Sequence, residues 1–361
     1  MNFQTCGHID VLKAVFDKVE NDEAKADDST KRYLYGTGYA SMLHVGGGAK
    51  IYRSDGCGTN LKIDDYGYLT IITGSNEIGQ GSETVLAMMA SEELGIPISK
   101  IKVINTDTDI KPWDVGVHAS RTTFVAGNSL LGAIKELKQK LNSKAAEMLG
   151  VNSDKLVYDS EEIRDKDGIK PPVRIEKVVR EMHFGSPHEL CSVNYFYEPS
   201  SKFQGKNFKG DVSGSYAFAA QAVTVEVDTY TGNIKVLDVH VAQDVGKVLN
   251  PLGIQGQIEG GVLMGVGYAI SEELLMDKGR ILNPNFHNYK MLTASDVPAI
   301  HFYPIETNDP QGPYGAKGMA EAPLIPTAAA IANAVADAIG TRIYSLPLTP
   351  EKVLKALSEI K

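Results

Sequence analysis

The chain has 361 residues, 43% apolar and 22% charged, which is enough for a large core and two domains of a soluble globular protein. Its net charge of −9, with no basic run interleaved with aromatics, argues against a nucleic-acid partner. Cys6, Cys57 and Cys191 lie too far apart for zinc or iron–sulfur spacing, Met1 to Asp10 lacks the apolar core of a signal peptide, and no apolar stretch is long enough to span a membrane, a set that reads as cytoplasmic.

Residues 9–28 read as an amphipathic helix, with Val11, Leu12, Val15, Phe16 and Val19, running into an acidic, lysine-rich segment. With the residues up to 35 they form an N-terminal helical extension. From Gly36 the pattern turns to mixed α/β. A strand over Leu69 to Thr73 follows the turn Asp65-Tyr66-Gly67, then a helix over Ser82 to Leu94 and a strand over Ile101 to Asn105. A long helix over 128–149 carries Leu130, Ile134, Leu137, Leu141, Ala145 and Met148 on one face. Residues 152–212 are polar, with Pro171-Pro172 and several glycines, and read as a boundary or surface excursion. From Tyr216 a hairpin is signalled by alternating apolar residues around the turn 228–233, continuing over Ile234 to Val241. A glycine-rich helical segment covers 253–269, an alanine-rich helix 327–339, and a short last helix is capped by Thr349 with Pro350 at its first position. Segments 64–94 and 228–267 both run turn, strand, Gly-Gln, helix, a faint internal repeat.

The most informative stretch is Gly315-Ala316-Lys317-Gly318-Met319-Ala320-Glu321-Ala322-Pro323. It sets one carboxylate, Glu321, between a glycine turn and an apolar helix. Enclosed there it would lose hydration and gain proton affinity, as a general base requires; the plainer reading is a charge favoured by a helix N-terminus. Three other segments could share its site. In Glu77-Ile78-Gly79-Gln80-Gly81-Ser82 the glycines free the backbone and Gln80 offers donor and acceptor, which suits a pterin, nucleotide or phosphate, or is simply a solvated turn. Ala119-Ser120-Arg121-Thr122-Thr123 suits a pyrophosphate, or merely caps the long helix. In Gly256-Gln257-Ile258-Glu259-Gly260-Gly261, after Asn250-Pro251, the glycines imply close packing and a buried glutamine needs partners, for which a ligand amide or oxo group would serve. Gly36-Thr37-Gly38 and Gly265-Val266-Gly267 lack the rest of a dinucleotide fingerprint. No Walker A sequence or nucleophile elbow occurs.

Taken in order, Glu-Ile-Gly-Gln-Gly (77–81), Ala-Ser-Arg-Thr-Thr (119–123), Asp-Val-Gly with Asn-Pro, Gly-Gln and Glu-Gly (244–260), and Gly-Ala-Lys-Gly with Glu (315–321) resemble the molybdenum hydroxylases of the xanthine oxidase family. The likeness runs through nearly the whole chain but matches only the second half of that family's molybdenum subunit, which implies a subunit split into two polypeptides, as in bacterial nicotinate dehydrogenases. The implied fold is α+β: the aldehyde oxidase/xanthine dehydrogenase molybdopterin-binding fold, with helices packed on sheets in two subdomains, 36–205 and 206–361. The implied cofactor is molybdopterin cytosine dinucleotide, bound between this chain and its other half. On that likeness Gln80 and Gly81 contact the pterin end, and Ser120, Arg121 and Thr122 hold the dinucleotide phosphates. Gln257 lies near the pterin, and Lys317 and Gly318 belong to the cofactor contacts. The metal is held by the cofactor's own sulfurs, so no protein ligand is expected, and Glu321 is the base. Iron–sulfur and FAD centres are implied on partner subunits. The implied substrate is a small aromatic heterocycle of the nicotinate or purine type, hydroxylated with water-derived oxygen. The wording around His44 and His118 is also similar to the hydroxybenzoyl-CoA reductase branch, which runs related chemistry reductively. A non-catalytic scaffold subunit is the remaining alternative.

Overall fold

The computed structural model describes residues 4–19, 32–47, 55–185, 190–198 and 212–359. In chain order these form α1 (His8–Val19), β1 (Tyr33–Val45), β2 (Gly56–Ile63), β3 (Leu69–Thr73), α2 (Ser82–Leu94), β4 (Ile101–Ile104) and α3 (Thr122–Leu149). The short strands β5 (Leu156–Asp159), β6 (Glu162–Asp165) and β7 (Val173–Arg174) lead to α4 (Ile175–Gly185) and β8 (Cys191–Tyr197). Then come β9 (Tyr216–Asp228), β10 (Ile234–Asp244), α5 (Pro251–Ile270), a small hairpin of β11 (Met276–Asp277) and β12 (Arg280–Ile281), β13 (Ala299–Ile305), α6 (Thr327–Ile339) and α7 (Pro350–Glu359). They fall into two compact units, the first comprising 45–215 and 309–318, the second 3–44, 216–308 and 319–361.

In the first unit a sheet of order β4-β3-β2-β8 carries α3 against it. The apolar stripe of α3 (Phe124, Leu130, Ile134, Leu137, Leu141, Ala145) is buried, as its period requires. This helix begins at Thr122 rather than 128. Gly127 is tolerated inside it because a side chain there would meet Pro313 Cγ at 2.8 Å. Residues 152–185 and 190–198 of the expected excursion instead fold into a three-stranded sheet of order β5-β6-β7, the amphipathic α4 and the edge strand β8. Strands of two to four residues are too short to show a period, which is why their polarity reads as loop. Residues 20–28 of the expected first helix and 186–189 and 199–211 of the polar stretch lie outside the described residues.

In the second unit the sheet order is β1-β9-β10-β13, with β9 and β10 antiparallel and β10 parallel to β13. A bulge between Val236 and Asp238 keeps Val236, Val239 and Val241 on one face with Val223 and Val225. That face packs on Ile258, Val262 and Val266 of α5 and Ala330, Ile331, Ala334 and Val335 of α6. Gly36 and Gly38 of β1 are glycine for this packing: a Cβ at Gly38 would lie 2.1 Å from the Ala330 carbonyl oxygen. Val11 and Val15 of α1 are buried, and α1 packs on β9 and β10.

Candidate functional site

The sequence-derived residues divide between the units. In the first, the turn before α2 is organised by Glu77. Its carboxylate accepts hydrogen bonds from the Gly79 and Gly81 N–H groups at 2.8 and 2.9 Å, the Ser82 hydroxyl at 3.0 Å and the Glu83 N–H at 3.1 Å. Burial opposes its charge, but the bonds from Gly81, Glu83, Ser82 and Gly79 prevail and hold its carboxyl below the ordinary glutamate value. The helix N-terminus expected to hold a ligand anion is thus occupied by the protein's own carboxylate. Gln80 also works within its turn, accepting from the Ile78 N–H at 2.6 Å and donating to the Asn76 carbonyl at 2.9 Å and to Ser82 at 3.1 Å. Gly79 and Gly81 hold φ of 103° and 81°, and a Cβ at either would meet open space.

Arg121 lies at the N-terminus of α3 with its side chain wholly out of solvent. Its Nε donates to Asp55 at 2.6 Å, Nη1 to both Asp114 carboxylate oxygens at 2.9 and 3.0 Å and to the Gly116 carbonyl at 2.8 Å, and Nη2 to the Gly56 carbonyl at 2.7 Å. The guanidinium expected on a ligand phosphate is engaged inside the protein. Two buried carboxylates balance its charge, which also explains how the ion survives there. Before it, Ala119 and Ser120 both sit in the left-handed region at φ 50°. Thr122 is the first helical residue, accepting from the Ser75 hydroxyl at 3.4 Å.

Lys317 is buried, and Gly318 donates its N–H to the Gly46 carbonyl at 2.8 Å. A Cβ on Gly318 would fall 1.5 Å from the Ser120 carbonyl oxygen. This glycine therefore lets the 315–318 and 119–122 segments touch through their backbones. The turn leading to it is braced by Asp309, which accepts from the Ser215 hydroxyl at 2.5 Å, and by the Tyr314 hydroxyl on Glu93 at 2.7 Å.

In the second unit Glu321 sits in the bend before α6, and its side chain is 47% exposed, so this chain alone does not enclose it as expected. His44, near the end of β1, places Nε2 3.7 Å from Glu321 Oε2. The segment around Glu321 is fastened by two glutamines that sequence reading did not single out. Gln221 donates to the Pro323 carbonyl at 2.6 Å and accepts from the Thr327 hydroxyl at 2.8 Å. Gln243 donates to the Met319 carbonyl at 2.9 Å. Both are fully buried inside apolar strands, a placement that was the only sequence signal for them. Gln243 Oε1 and His44 Nδ1 are buried with no hydrogen-bond partner among the described residues. Gln257 is half-buried on α5, flanked by Gly256 and Gly260, where a Cβ would meet open space.

The molybdopterin cofactor-binding domain description matches residues 12–298. The chain belongs to that family. It is similar to a putative xanthine dehydrogenase molybdenum-binding subunit of Escherichia coli (strain K12), 35% identical over 304 residues that cover 82% of this chain and 38% of the relative. It is also similar to the nicotine 6-hydroxylase large subunit of Paenarthrobacter nicotinovorans, 32% identical over 324 residues covering 88% of the chain and 38% of the relative. Among solved structures, a Cu,Mo-CO dehydrogenase superposes with a TM-score of 0.85 at 25% identity, over 99% of this chain and 46% of that one. Quinoline 2-oxidoreductase from Pseudomonas putida 86 gives 0.85 at 24% identity, over 98% of the chain and 45% of its own. The expected α+β molybdopterin-binding fold and the xanthine oxidase family resemblance are thereby established. The chain spans less than half the length of these relatives.

In the first unit the open backbone at Gly79 and Gly81, and separately in the second unit the open backbone at Gly256 and Gly260 and the orphaned polar atoms on Gln243 and His44, each fit a polar, flat group approaching main chain. No helix of the described residues is long and apolar enough to cross a membrane.

Proposed function

We propose that this chain is the carboxyl-terminal half of the molybdenum subunit of a hydroxylase, and that it binds molybdopterin cytosine dinucleotide. In this reading Gly81 and Gln80 meet the pterin end, the Gln80 carboxamide exchanging its bonds within the turn for cofactor bonds. Ser120 and Thr122 serve the dinucleotide phosphates, with Arg121 holding their loop in shape, while Lys317 and Gly318 complete that wall. Gln257 faces the pterin from α5. When bound, the molybdenum cofactor supplies two-electron redox chemistry and a water-derived oxygen.

Glu321 is the general base. Gln221 and Gln243 hold the carbonyls of Pro323 and Met319 on either side of it, so the carboxylate is presented from a braced segment, with the His44 imidazole 3.7 Å away. This is the observation that carries the proposal: a carboxylate held on a braced bend, beside an imidazole, in a chain of the molybdopterin-binding family. The names of the relatives, which include a nicotine hydroxylase and xanthine dehydrogenases, support an aromatic nitrogen heterocycle as substrate. Iron–sulfur and flavin subunits would carry the electrons away, in the cytoplasm.

The second unit presents Leu252, Met264, Tyr268, Leu274, Met276 and Phe286 to solvent, a density of large apolar side chains that supports a covering partner. We assign that cover to the other half of the subunit, which would also withdraw Glu321 from water.

The test is Glu321→Gln in the enzyme purified with its accompanying subunits. Turnover falls by on the order of 10²–10⁴ or more, while molybdenum content stays that of the parent. Retained turnover would remove Glu321 from the role of base.

A further inference from the structure

Outside the residues discussed above, the parallel pairing of β10 with β13 sets His240 directly opposite His301. Asp238, two residues before His240, follows the bulge and points to the same side of the sheet. Asp238 Oδ1 lies 3.2 Å from His301 Nε2 and 3.6 Å from His240 Nε2, and one ligand atom from each residue lies within 4.8 Å of the others. Although two imidazole nitrogens are this close, Asp238 Oδ1 is buried and accepts no hydrogen bond among the described residues. Three donor atoms gathered within 4.8 Å of one another, with an oxygen lone pair unused, is a set that a cation can complete.

We propose that Asp238, His240 and His301 bind one divalent transition-metal ion of the zinc class. A tetrahedral zinc with nitrogen and oxygen ligands at about 2.0–2.2 Å separates neighbouring ligand atoms by roughly 3.3 Å, and the observed 3.2 and 3.6 Å bracket that spacing. Two imidazoles exclude calcium and magnesium, which take oxygen. His240 Nδ1 lies 3.0 Å from the Tyr303 hydroxyl oxygen. With the ion on Nε2, Nδ1 carries the proton and donates to Tyr303, which fixes the tautomer that ligation needs. His240 is buried, whereas His301 is half-exposed and gives the ion its entrance and an open position for water. The ammonium of Lys18, 5.6 Å from the Tyr303 ring centroid, is the positive charge that binding must tolerate. The ion would stitch β13, which closes the order β1-β9-β10-β13, to its neighbour β10.

The test uses the full chain with its copurifying subunits, freed of loosely held metal by a chelator and titrated with Co2+ and then Zn2+. One Co2+ per chain should bind with visible ligand-field bands, yield to Zn2+, and raise the thermal midpoint. Asp238→Asn and His301→Ala, both at partly exposed positions that should fold, each weaken binding by roughly tenfold or more. His183→Ala, which removes another histidine 2.7 Å from a carboxylate (Asp65), leaves binding unchanged and serves as the control. Absence of Co2+ bands, or binding that survives in both Asp238→Asn and His301→Ala, overturns the proposal. Neither result touches the molybdenum reading, whose tests rest on Glu321 and molybdenum content.

Discussion

Arg121 Nε donates to Asp55 across 2.6 Å, and neither side chain reaches solvent. Removing the arginine takes the guanidinium charge away from two buried carboxylates, Asp55 and Asp114. Breaking such a buried pair costs about 3–5 kcal/mol, so Arg121→Ala should lower the unfolding free energy by that amount in urea titration. Cofactor content would fall as a consequence. Were the guanidinium purely a phosphate contact, cofactor would be lost with stability intact.

Gly318→Ala puts a methyl group where the Ser120 carbonyl oxygen stands, at 1.5 Å. The clash sets a Cβ, which has no rotamer, against a backbone carbonyl, so nothing flexible can give way. The variant should lose molybdenum and lower the thermal midpoint, whereas Gly256→Ala, inside α5 with open space at its Cβ, should hold or slightly raise it. Differential scanning calorimetry with metal analysis of both variants checks the contrast.

Glu77 gives a pH signature. Its carboxyl is held below the ordinary value of 4.5, so the folded state binds its proton less readily than the unfolded chain. The stabilisation is complete above pH 4.5 and is lost as pH falls below that value through the folded pKa. Glu77→Gln should therefore reduce stability at neutral pH and flatten its decline as pH falls below 4.5. Equal slopes for the two proteins in chemical denaturation at several pH values would refute the capping role.

The three thiols should differ sharply. Cys6 and Cys191 are exposed, while burial first and the nearby Asp114 second push the Cys57 thiol up to about 12. At neutral pH a thiol reagent should modify Cys6 and Cys191 promptly and reach Cys57 only after unfolding. Prompt loss of all three would show that the Asp55–Arg121–Asp114 region opens readily.

Much of this was legible in the residues themselves. The 228–233 turn between alternating runs announced β9 and β10, and the period through Leu130, Ile134 and Leu137 announced α3. The glycines of 77–82 and 315–318 fell at turns, and those of 256–261 inside α5. What they could not reveal was which partners fill those turns. Glu77 occupying its own helix N-terminus and Arg121 reaching Asp55, 66 residues away, depend on contacts that no local spacing encodes. Gln221 and Gln243 were hidden because a polar residue inside an apolar strand shows its purpose only when the opposing carbonyl is known. Asp238, His240 and His301 were invisible as a set: no ligand spacing joins residues 240 and 301, and only the parallel register brings them together.

The most direct test of the central claim is molybdenum per chain, by elemental analysis, in protein purified with the polypeptides that accompany it in its native cell. The account predicts close to one molybdenum per chain, with cytosine nucleotide released on denaturation and a second large-subunit half present. A native complex without molybdenum would contradict it and leave Glu321 as a structural charge on a scaffold.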